Sequence, residues 1–197
     1  MTDGSTTDGG AADLLVRAAR PDEAEVLAAV AAATFPLACP PGSSPADQAA
    51  FVADHLTAAH FAGYLADPAH RVLVAQVDGE VVGYTMLIAT ASGAPPYPEV
   101  AAIVPLRPTI ELSKCYVLPD RHGRGVAGAL MAATLAAGRE SGAIGIWLGV
   151  NGENTRAQAF YRRSGFTVAG PRRFQVGGRL EHDLVLHQPL RAAPDRS

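Results

Sequence analysis

Glycines and arginines occur together near the middle of the chain, in the segment DRHGRGVAG that runs from Asp120 to Gly128. Its three glycines follow the pattern G-x-G-x-x-G, and an apolar helical stretch comes directly after them. Glycines at such a turn leave backbone N–H groups available, and the start of a helix adds partial positive charge. Because Arg121 and Arg124 add further positive charge, the segment predicts an anion-binding site, with a tight turn that binds nothing as the alternative.

The surroundings of this segment argue against a dinucleotide-binding fold. Such a fold places the first glycine at the end of a strand and an acidic residue about 20 positions later, at the tip of the next strand. Here Pro119 to His122 separate the strand from the first glycine, and Glu140 precedes the next strand. Only one more helix and a hairpin follow, so we interpret the segment as a site for the phosphates of another cofactor.

The elements needed to position this segment can be predicted from periodicity and turn residues. The first half should contain a short strand (14–17), a helix with Leu27, Val30, Ala31 and Thr34 on one face, a helical stretch capped by Ser44, and a hairpin turning at Asp78 and Gly79. The second half alternates strand, glycine turn, helix, strand and helix, which favours parallel strands joined by a crossover helix. A last hairpin is expected to turn at Gly177 and Gly178.

A proline-rich segment separates the two halves. The stretch TASGAPPYPEVAAIVPLRP, residues 90–108, contains five prolines. We expect no regular structure throughout it, and long loops in compact domains often have a functional role. It is therefore a candidate lid over the substrate.

Composition limits the classes of function. The chain has 197 residues and a formal net charge of -3, which gives no electrostatic basis for nucleic-acid binding. We expect one domain at residues 13–190, with residues 1–12 and 191–197 disordered. With no signal peptide or membrane-spanning stretch, a cytoplasmic protein is expected. Cys39 and Cys115 form no metal-binding pair, and His55 and His60 do not share one helix face, so no metal is assigned.

Two motifs together carry a family resemblance. LSKCYVLPDRHGRGVAGALM followed by WLGVNGENTRAQAFYRRSGF resembles the GNAT superfamily of acetyl-CoA-dependent N-acetyltransferases. The resemblance implies an α/β fold: a mixed sheet of about six to seven strands with splayed parallel strands, flanked by about four helices. It also implies cofactor-binding residues: Tyr116, Val117, His122, Gly123, Arg124, Gly125, Val126, Ala127, Asn154, Ala157 and Tyr161. His122 stands where the family usually has Gln or Arg.

The resemblance also implies roles in catalysis. Attack of an amine on a thioester needs removal of a proton from the amine, stabilisation of an oxyanion and a proton for the thiolate. Tyr161 matches the general acid of the family, and Glu111, on the strand before the glycine loop, is the candidate base. Backbone N–H groups near Tyr116 or Val117 would stabilise the oxyanion. Cys115 has no local histidine to activate it, so direct transfer is expected.

The acceptor is left open by the sequence. The C-terminal segment resembles that of PaiA-type polyamine acetyltransferases, with Phe174, Gly177, Asp183 and Leu184 fitting the layout. A small-molecule amine or a polyamine is the leading hypothesis. A protein or peptide N-acetyltransferase and a non-catalytic acyl-CoA-binding module are the alternatives. Relatives often pair through strands near the C-terminus, which suggests a homodimer.

Overall fold

The computed structural model describes residues 13–39, 42–176 and 179–190. Within these ranges it contains one seven-stranded sheet, ordered β1-β2-β3-β4-β5-β7-β6, and six α-helices. The strands are β1 (Leu14–Ala18), β2 (His70–Val77), β3 (Glu80–Ile88), β4 (Thr109–Val117), β5 (Gly145–Asn151), β6 (Thr167–Val176) and β7 (Arg179–Pro189). The helices are α1 (Ala24–Thr34), α2 (Pro45–His55), α3 (Ala58–Ala66), α4 (Pro98–Ile103), α5 (Val126–Glu140) and α6 (Thr155–Arg163).

The sheet contains one parallel pair, β4 with β5, and this pair is short. Its register covers only Thr109–Glu111 against Gly145–Trp147. Beyond these residues β4 continues to Val117 and β5 to Asn151 without pairing with each other. The two strands therefore separate, and part of the edge of β4 faces a gap rather than a neighbouring strand.

A bulge in β4 lies at the start of the gap. Leu112 pairs with Leu87 and Lys114 with Met86, so Ser113 has no partner of its own in β3. The extra residue reverses the side-chain alternation along β4. As a result Leu112 and Cys115, three positions apart, both pack on the α5 side of the sheet.

Each face of the sheet carries its own packed layer. On one face, α5 contributes Leu130 and Met131 to a core that also includes Ile146 and Phe166. On the other face, α1 and α3 cover β2 and β3. Further along that second face, Val100 of α4 and Val104, which follows this helix, pack against Trp147 and Val185. The separated ends of β4 and β5 lie between these layers.

Most of the predicted elements are confirmed. Leu27, Val30, Ala31 and Thr34 are the buried residues of α1. Ser44 caps α2 by accepting a hydrogen bond from the Asp47 N–H at 3.0 Å. One prediction needs correction, and others fall on residues that the structure does not describe. The fold has six helices in its described part instead of about four, and residues 1–12, 177–178 and 191–197, with the predicted tails and last turn, lie outside the described residues.

The prediction of a lid at residues 90–108 is wrong. The segment includes the helix α4, and none of its residues lines the large cavity between the separated strands. The physical reason is its apolar content: Val100 and Val104 are buried against Trp147, so the sheet face holds the segment in place. In the described part of the chain, no helix is long and apolar enough to cross a membrane.

Candidate active site

A cavity of about 1290 Å³ opens where β4 and β5 separate. One wall consists of the ends of these two strands, including Tyr116 and Val150. The glycine loop and α6 form a second wall, and the connection between α1 and α2 forms a third. The cavity therefore joins the predicted cofactor residues to a part of the fold that the motifs do not include.

The glycine loop has the backbone conformation that its sequence predicts. Gly123 and Gly125 have φ values of 78° and 82°, in the left-handed region, and Gly125 caps the start of α5. Alternating positive φ turns successive N–H groups toward one side, and the helix start adds partial positive charge there. Both glycines and Ala127 line the cavity, so the loop forms a wall whose backbone is suited to bind an anion.

Two predicted residues of the loop do not line the cavity. Arg124 is exposed on the outside, and the side chain of Val126 is buried in the core at 2% exposure. Other arginines supply the charge instead: Arg121, Arg156 and Arg163 all line the cavity. The sequence prediction missed the last two, although both lie in the second motif.

His122 connects the two sides of the cavity. Its Nε2 lies 2.8 Å from the carbonyl oxygen of Val117, and its Nδ1 accepts a hydrogen bond from Nη2 of Arg156. Because a guanidinium can only donate, Nδ1 must be the unprotonated nitrogen and Nε2–H the donor. His122 thus joins the end of β4 to the first turn of α6.

Tyr161 lies inside the cavity, on α6. Asn154 starts this helix by accepting a hydrogen bond from the N–H of Ala157 at 2.9 Å. The Tyr161 ring packs edge-on to Phe166, with 5.8 Å between ring centroids. Its hydroxyl interacts with the Cys115 thiol on β4. The helix cap and the core contact therefore direct one phenol toward the gap between the strands.

Burial keeps both members of this pair protonated. It raises the pKa of Tyr161 well above its ordinary value and the pKa of the Cys115 thiol to about 12. A thiol in that state is a poor nucleophile, since the thiolate is the reactive form. The Tyr161 hydroxyl is therefore in the form that can donate a hydrogen bond, and the Cys115 thiol is in its less reactive form.

The strand residues predicted to contact the cofactor also line the cavity. Tyr116 and Val117 lie on the part of β4 that β5 does not pair with. The carbonyl oxygen of Val117 accepts a hydrogen bond from His122, and the N–H of Leu118 donates to the carbonyl oxygen of Val82. N–H groups on this free edge of β4 are suited to hydrogen-bond an oxyanion.

Glu111 occupies a different position. It is half-buried on β4 beside Trp147, and it does not line the cavity. Burial raises the pKa of its carboxyl group, although the nearby charges of Arg172 and Lys114 act in the opposite direction. The structure thus places this carboxylate outside the lining of the cavity that Tyr161 lines.

The third wall of the cavity has no counterpart in the sequence prediction. Phe35, Leu37 and Phe51 line it together with Asp47 and Gln48. The rings of Phe35 and Phe51 stack with 4.5 Å between centroids and 1° between planes. No local motif marks these residues, because packing of α1 and α2 brings them to the cavity.

Across residues 13–39, 42–176 and 179–190, no cluster of three or more His, Cys, Asp or Glu side chains has an arrangement that could hold a metal ion.

Comparison with known proteins agrees with this geometry. Residues 35–166 match the model of the acetyltransferase (GNAT) family. An uncharacterised N-acetyltransferase of Mycobacterium bovis is 45% identical over 168 residues, covering 85% of this chain and 98% of that protein. The PaiA N-acetyltransferase of Thermoplasma acidophilum, solved in complex with coenzyme A, has a TM-score of 0.72 at 15% identity, covering 90% of this chain and 99% of that one. YncA of Salmonella typhimurium, solved with its cofactor acetyl-CoA, has a TM-score of 0.63 at 19% identity, covering 93% and 99%.

Proposed function

This chain belongs to the acetyltransferase (GNAT) family, and we propose that it transfers an acetyl group from acetyl-CoA directly to a primary amine of a small molecule. The observation that carries this proposal is the position of Tyr161. Its protonated hydroxyl lines the cavity between the separated strands and interacts with the thiol of Cys115. A thioester sulfur in the same gap would be within reach of the same donor.

The glycine loop is the proposed site for the pyrophosphate of the cofactor. Backbone N–H groups from Gly123 to Ala127, at the start of α5, would contact the phosphate oxygens, so Val126 takes part through its backbone. Arg121 and Arg156 lie on the same cavity and add positive charge. Asn154 and Ala157 line the cavity further along α6, where the pantetheine arm would lie.

The proposed chemistry is a balanced acyl transfer. The amine nitrogen bonds to the carbonyl carbon, and N–H groups on the free edge of β4 stabilise the negative oxygen. The carbon–sulfur bond then breaks, and Tyr161 gives its proton to the departing thiolate. The nitrogen loses one proton, which replaces the proton given by Tyr161. The products are an N-acetylated amine and coenzyme A.

Glu111 is the proposed proton acceptor for the ammonium form of the substrate. An alkylammonium has a pKa of about 10.4, so it must lose a proton before it can attack. The raised pKa of Glu111 makes this carboxyl group a better proton acceptor than an ordinary glutamate. Since Glu111 does not line the cavity, the transfer is proposed to run through water.

The test of this mechanism is Tyr161→Phe, which removes the hydroxyl and keeps the ring. The expected result is a fall in kcat of about 100-fold, because the thiolate must leave without a positioned acid. The KM for acetyl-CoA should change less than about twofold, because the ring contact with Phe166 remains. Steady-state release of coenzyme A measures both constants, and an unchanged kcat would contradict the role of Tyr161.

Charged side chains on α4, β4 and β6 bear on the class of the acceptor. A polyamine is the acceptor suggested by the resemblance to PaiA-type enzymes. Glu99 lies 3.6 Å from Arg172, and Glu111 interacts with both Arg172 and Lys114. Because these carboxylates already face cations, the charges favour an acceptor with fewer positive charges than a polyamine.

A cytoplasmic location and a homodimer stay predictions from sequence.

A further inference from the structure

We propose that the side-chain hydroxyl of Tyr116 binds the nitrogen of the attacking amine, and that Tyr116 thereby positions the acceptor. This inference rests on the proposed acetyl transfer and assigns a group on the acceptor side of the same cavity. Three features carry it: the face of the sheet on which the Tyr116 ring packs, the state of its hydroxyl, and the groups on either side of that hydroxyl.

Tyr116 and Tyr161 reach the cavity from opposite faces of the sheet, and both line it. The Tyr116 ring packs on the face covered by α1 and α3, with 5.8 Å between its centroid and that of Tyr84 on β3. Tyr161 packs on the other face, against the core to which α5 contributes. The proposed cofactor contacts, in the glycine loop and on α6, belong to the side of Tyr161. Tyr116 is therefore on the side left for the acceptor.

The Tyr116 hydroxyl is protonated and able to form a further hydrogen bond. Burial raises the pKa of Tyr116 to about 12. Within the described part of the chain no group hydrogen-bonds this hydroxyl, whereas the hydroxyl of Tyr161 interacts with the Cys115 thiol. Buried polar groups are normally satisfied, and a phenol oxygen can accept a hydrogen bond as well as donate one. An amine N–H is a partner that the reaction itself would supply.

The hydroxyl lies between the proposed reaction centre and the third wall of the cavity. Electrostatic interactions link Tyr116 with Cys115 in the gap and with Cys39 on the connection between α1 and α2. Cys115 in turn interacts with Tyr161, the proposed acid. All four residues line the cavity. An amine whose nitrogen contacts the Tyr116 hydroxyl would therefore lie beside a thioester placed next to Tyr161, with the rest of the acceptor toward the third wall.

A hydrogen bond from the amine to Tyr116 is compatible with attack on the thioester. The nitrogen lone pair must point at the carbonyl carbon, so the N–H groups are the part of the amine that can be held by the protein. One N–H can donate to the Tyr116 oxygen while the hydroxyl proton stays on the phenol. Tyr116 then orients the amine without gaining or losing a proton, and it does so for any acceptor that presents a primary amine.

The experiment compares the wild type with Tyr116→Phe and Tyr84→Phe on the full chain. Each substitution removes one hydroxyl and keeps the ring pair. Tyr84→Phe is the matched control, since the Tyr84 hydroxyl also lacks a hydrogen-bond partner among the described residues but Tyr84 does not line the cavity. The acceptor probes are n-butylamine, 1,4-diaminobutane and 2-phenylethylamine. Release of coenzyme A gives kcat and KM, calorimetry gives the Kd of acetyl-CoA, and thermal unfolding checks the fold of each variant.

Tyr116→Phe should raise the KM for the amines about fivefold, because a hydrogen bond to the nitrogen is lost. The increase should agree within about twofold among the three amines, since the contact is with the amine nitrogen that they share. The kcat and the Kd of acetyl-CoA should change less than about twofold, in contrast to the fall in kcat expected for Tyr161→Phe. Tyr84→Phe should behave like the wild type in every constant.

The failures of the two proposals are distinguishable. If the wild type binds acetyl-CoA but releases no coenzyme A with any of the three amines, the proposed transfer fails and this inference fails with it. If the wild type acetylates amines and Tyr116→Phe leaves their KM unchanged, this inference alone is overturned. The same holds if Tyr116→Phe weakens acetyl-CoA binding as much as amine binding, or if Tyr84→Phe has an equal effect. Loss of cooperative unfolding in Tyr116→Phe would give the hydroxyl a structural role, which also overturns the inference.

Discussion

At the scale of single residues, His122 explains how this cavity accommodates a departure from the family pattern. Its Nε2–H donates to Val117 on β4, and its Nδ1 accepts from Arg156 on α6. The imidazole therefore serves as one donor and one acceptor between the two walls. It also fixes Arg156, a positive group on the cavity, in place.

His122→Ala should weaken binding of acetyl-CoA, because Arg156 loses the acceptor that positions it. We expect the KM for acetyl-CoA to rise about tenfold, equivalent to about 1.4 kcal/mol. His122→Gln is the matched variant, since its amide also provides one donor and one acceptor. It should retain most of the affinity. Equal KM values for the wild type and His122→Ala would show that the imidazole does not position Arg156 for binding.

At the scale of elements, an ion-pair network fixes the start of α1 against β1. Glu23, whose side chain is 5% exposed, pairs with Arg17 at 2.6 Å, and its carboxylate accepts from the Arg20 N–H at 2.7 Å. The hydrogen bond from Arg17 is the main cause that lowers the pKa of Glu23 to about 2. Because the folded state favours the charged form, this group stabilises the fold above its unfolded pKa.

Glu23→Gln should therefore destabilise the protein near neutral pH. The shift from 4.5 to about 2 corresponds to at most about 3 kcal/mol of unfolding free energy. The contribution is complete above about pH 5 and is lost as the pH falls toward 2. Urea unfolding at pH 7 and at lower pH should show a difference that shrinks with acidity.

Asp22→Asn is the control for this measurement. Asp22 pairs with Arg20 at 3.1 Å, but its side chain is 73% exposed. Exposed ion pairs contribute about 0.5 kcal/mol or less, so this variant should remain close to the wild type. A destabilisation by Glu23→Gln that did not depend on pH would contradict the ion-pair explanation.

The elements that the sequence predicted well depend on local signals. Ser44 caps α2 by accepting a hydrogen bond from Asp47, three residues later. Asp78 and Gly79 form the hairpin turn with φ values of 52° and 85°. The glycine loop is also local. Each of these is determined by a few consecutive residues, so the sequence was sufficient to place them.

The features that the sequence did not predict depend on contacts between distant segments. Asp183 meets Gly149 only because β7 inserts between β5 and β6. Phe35 and Phe51 reach the cavity through the packing of two helices. Similarly, α4 was missed because its burial against Trp147 outweighs a proline-rich sequence. Local sequence patterns contain no information on these contacts between distant segments.

At the scale of the whole molecule, the cavity connects two regions of different chemistry. Arg121, Arg156 and Arg163 line it together with the glycine loop, where phosphates are proposed to bind. Asp183 and the apolar side chains of Phe35, Leu37 and Phe51 also line this cavity. The separated ends of β4 and β5, with Tyr161 beside them, lie between these two regions of the cavity. This arrangement matches a reaction in which an anionic donor and a cationic acceptor meet at one proton donor.

The most direct measurement is the stoichiometry of the reaction with acetyl-CoA and a simple primary amine. Free coenzyme A and the N-acetylated amine would be quantified together, by a thiol assay and mass spectrometry, with and without 2-phenylethylamine. The account predicts amine-dependent release of coenzyme A, equimolar with the acetylated product. Binding of acetyl-CoA without amine-dependent release, tested over mono-, di- and polyamines and short peptides, would contradict it.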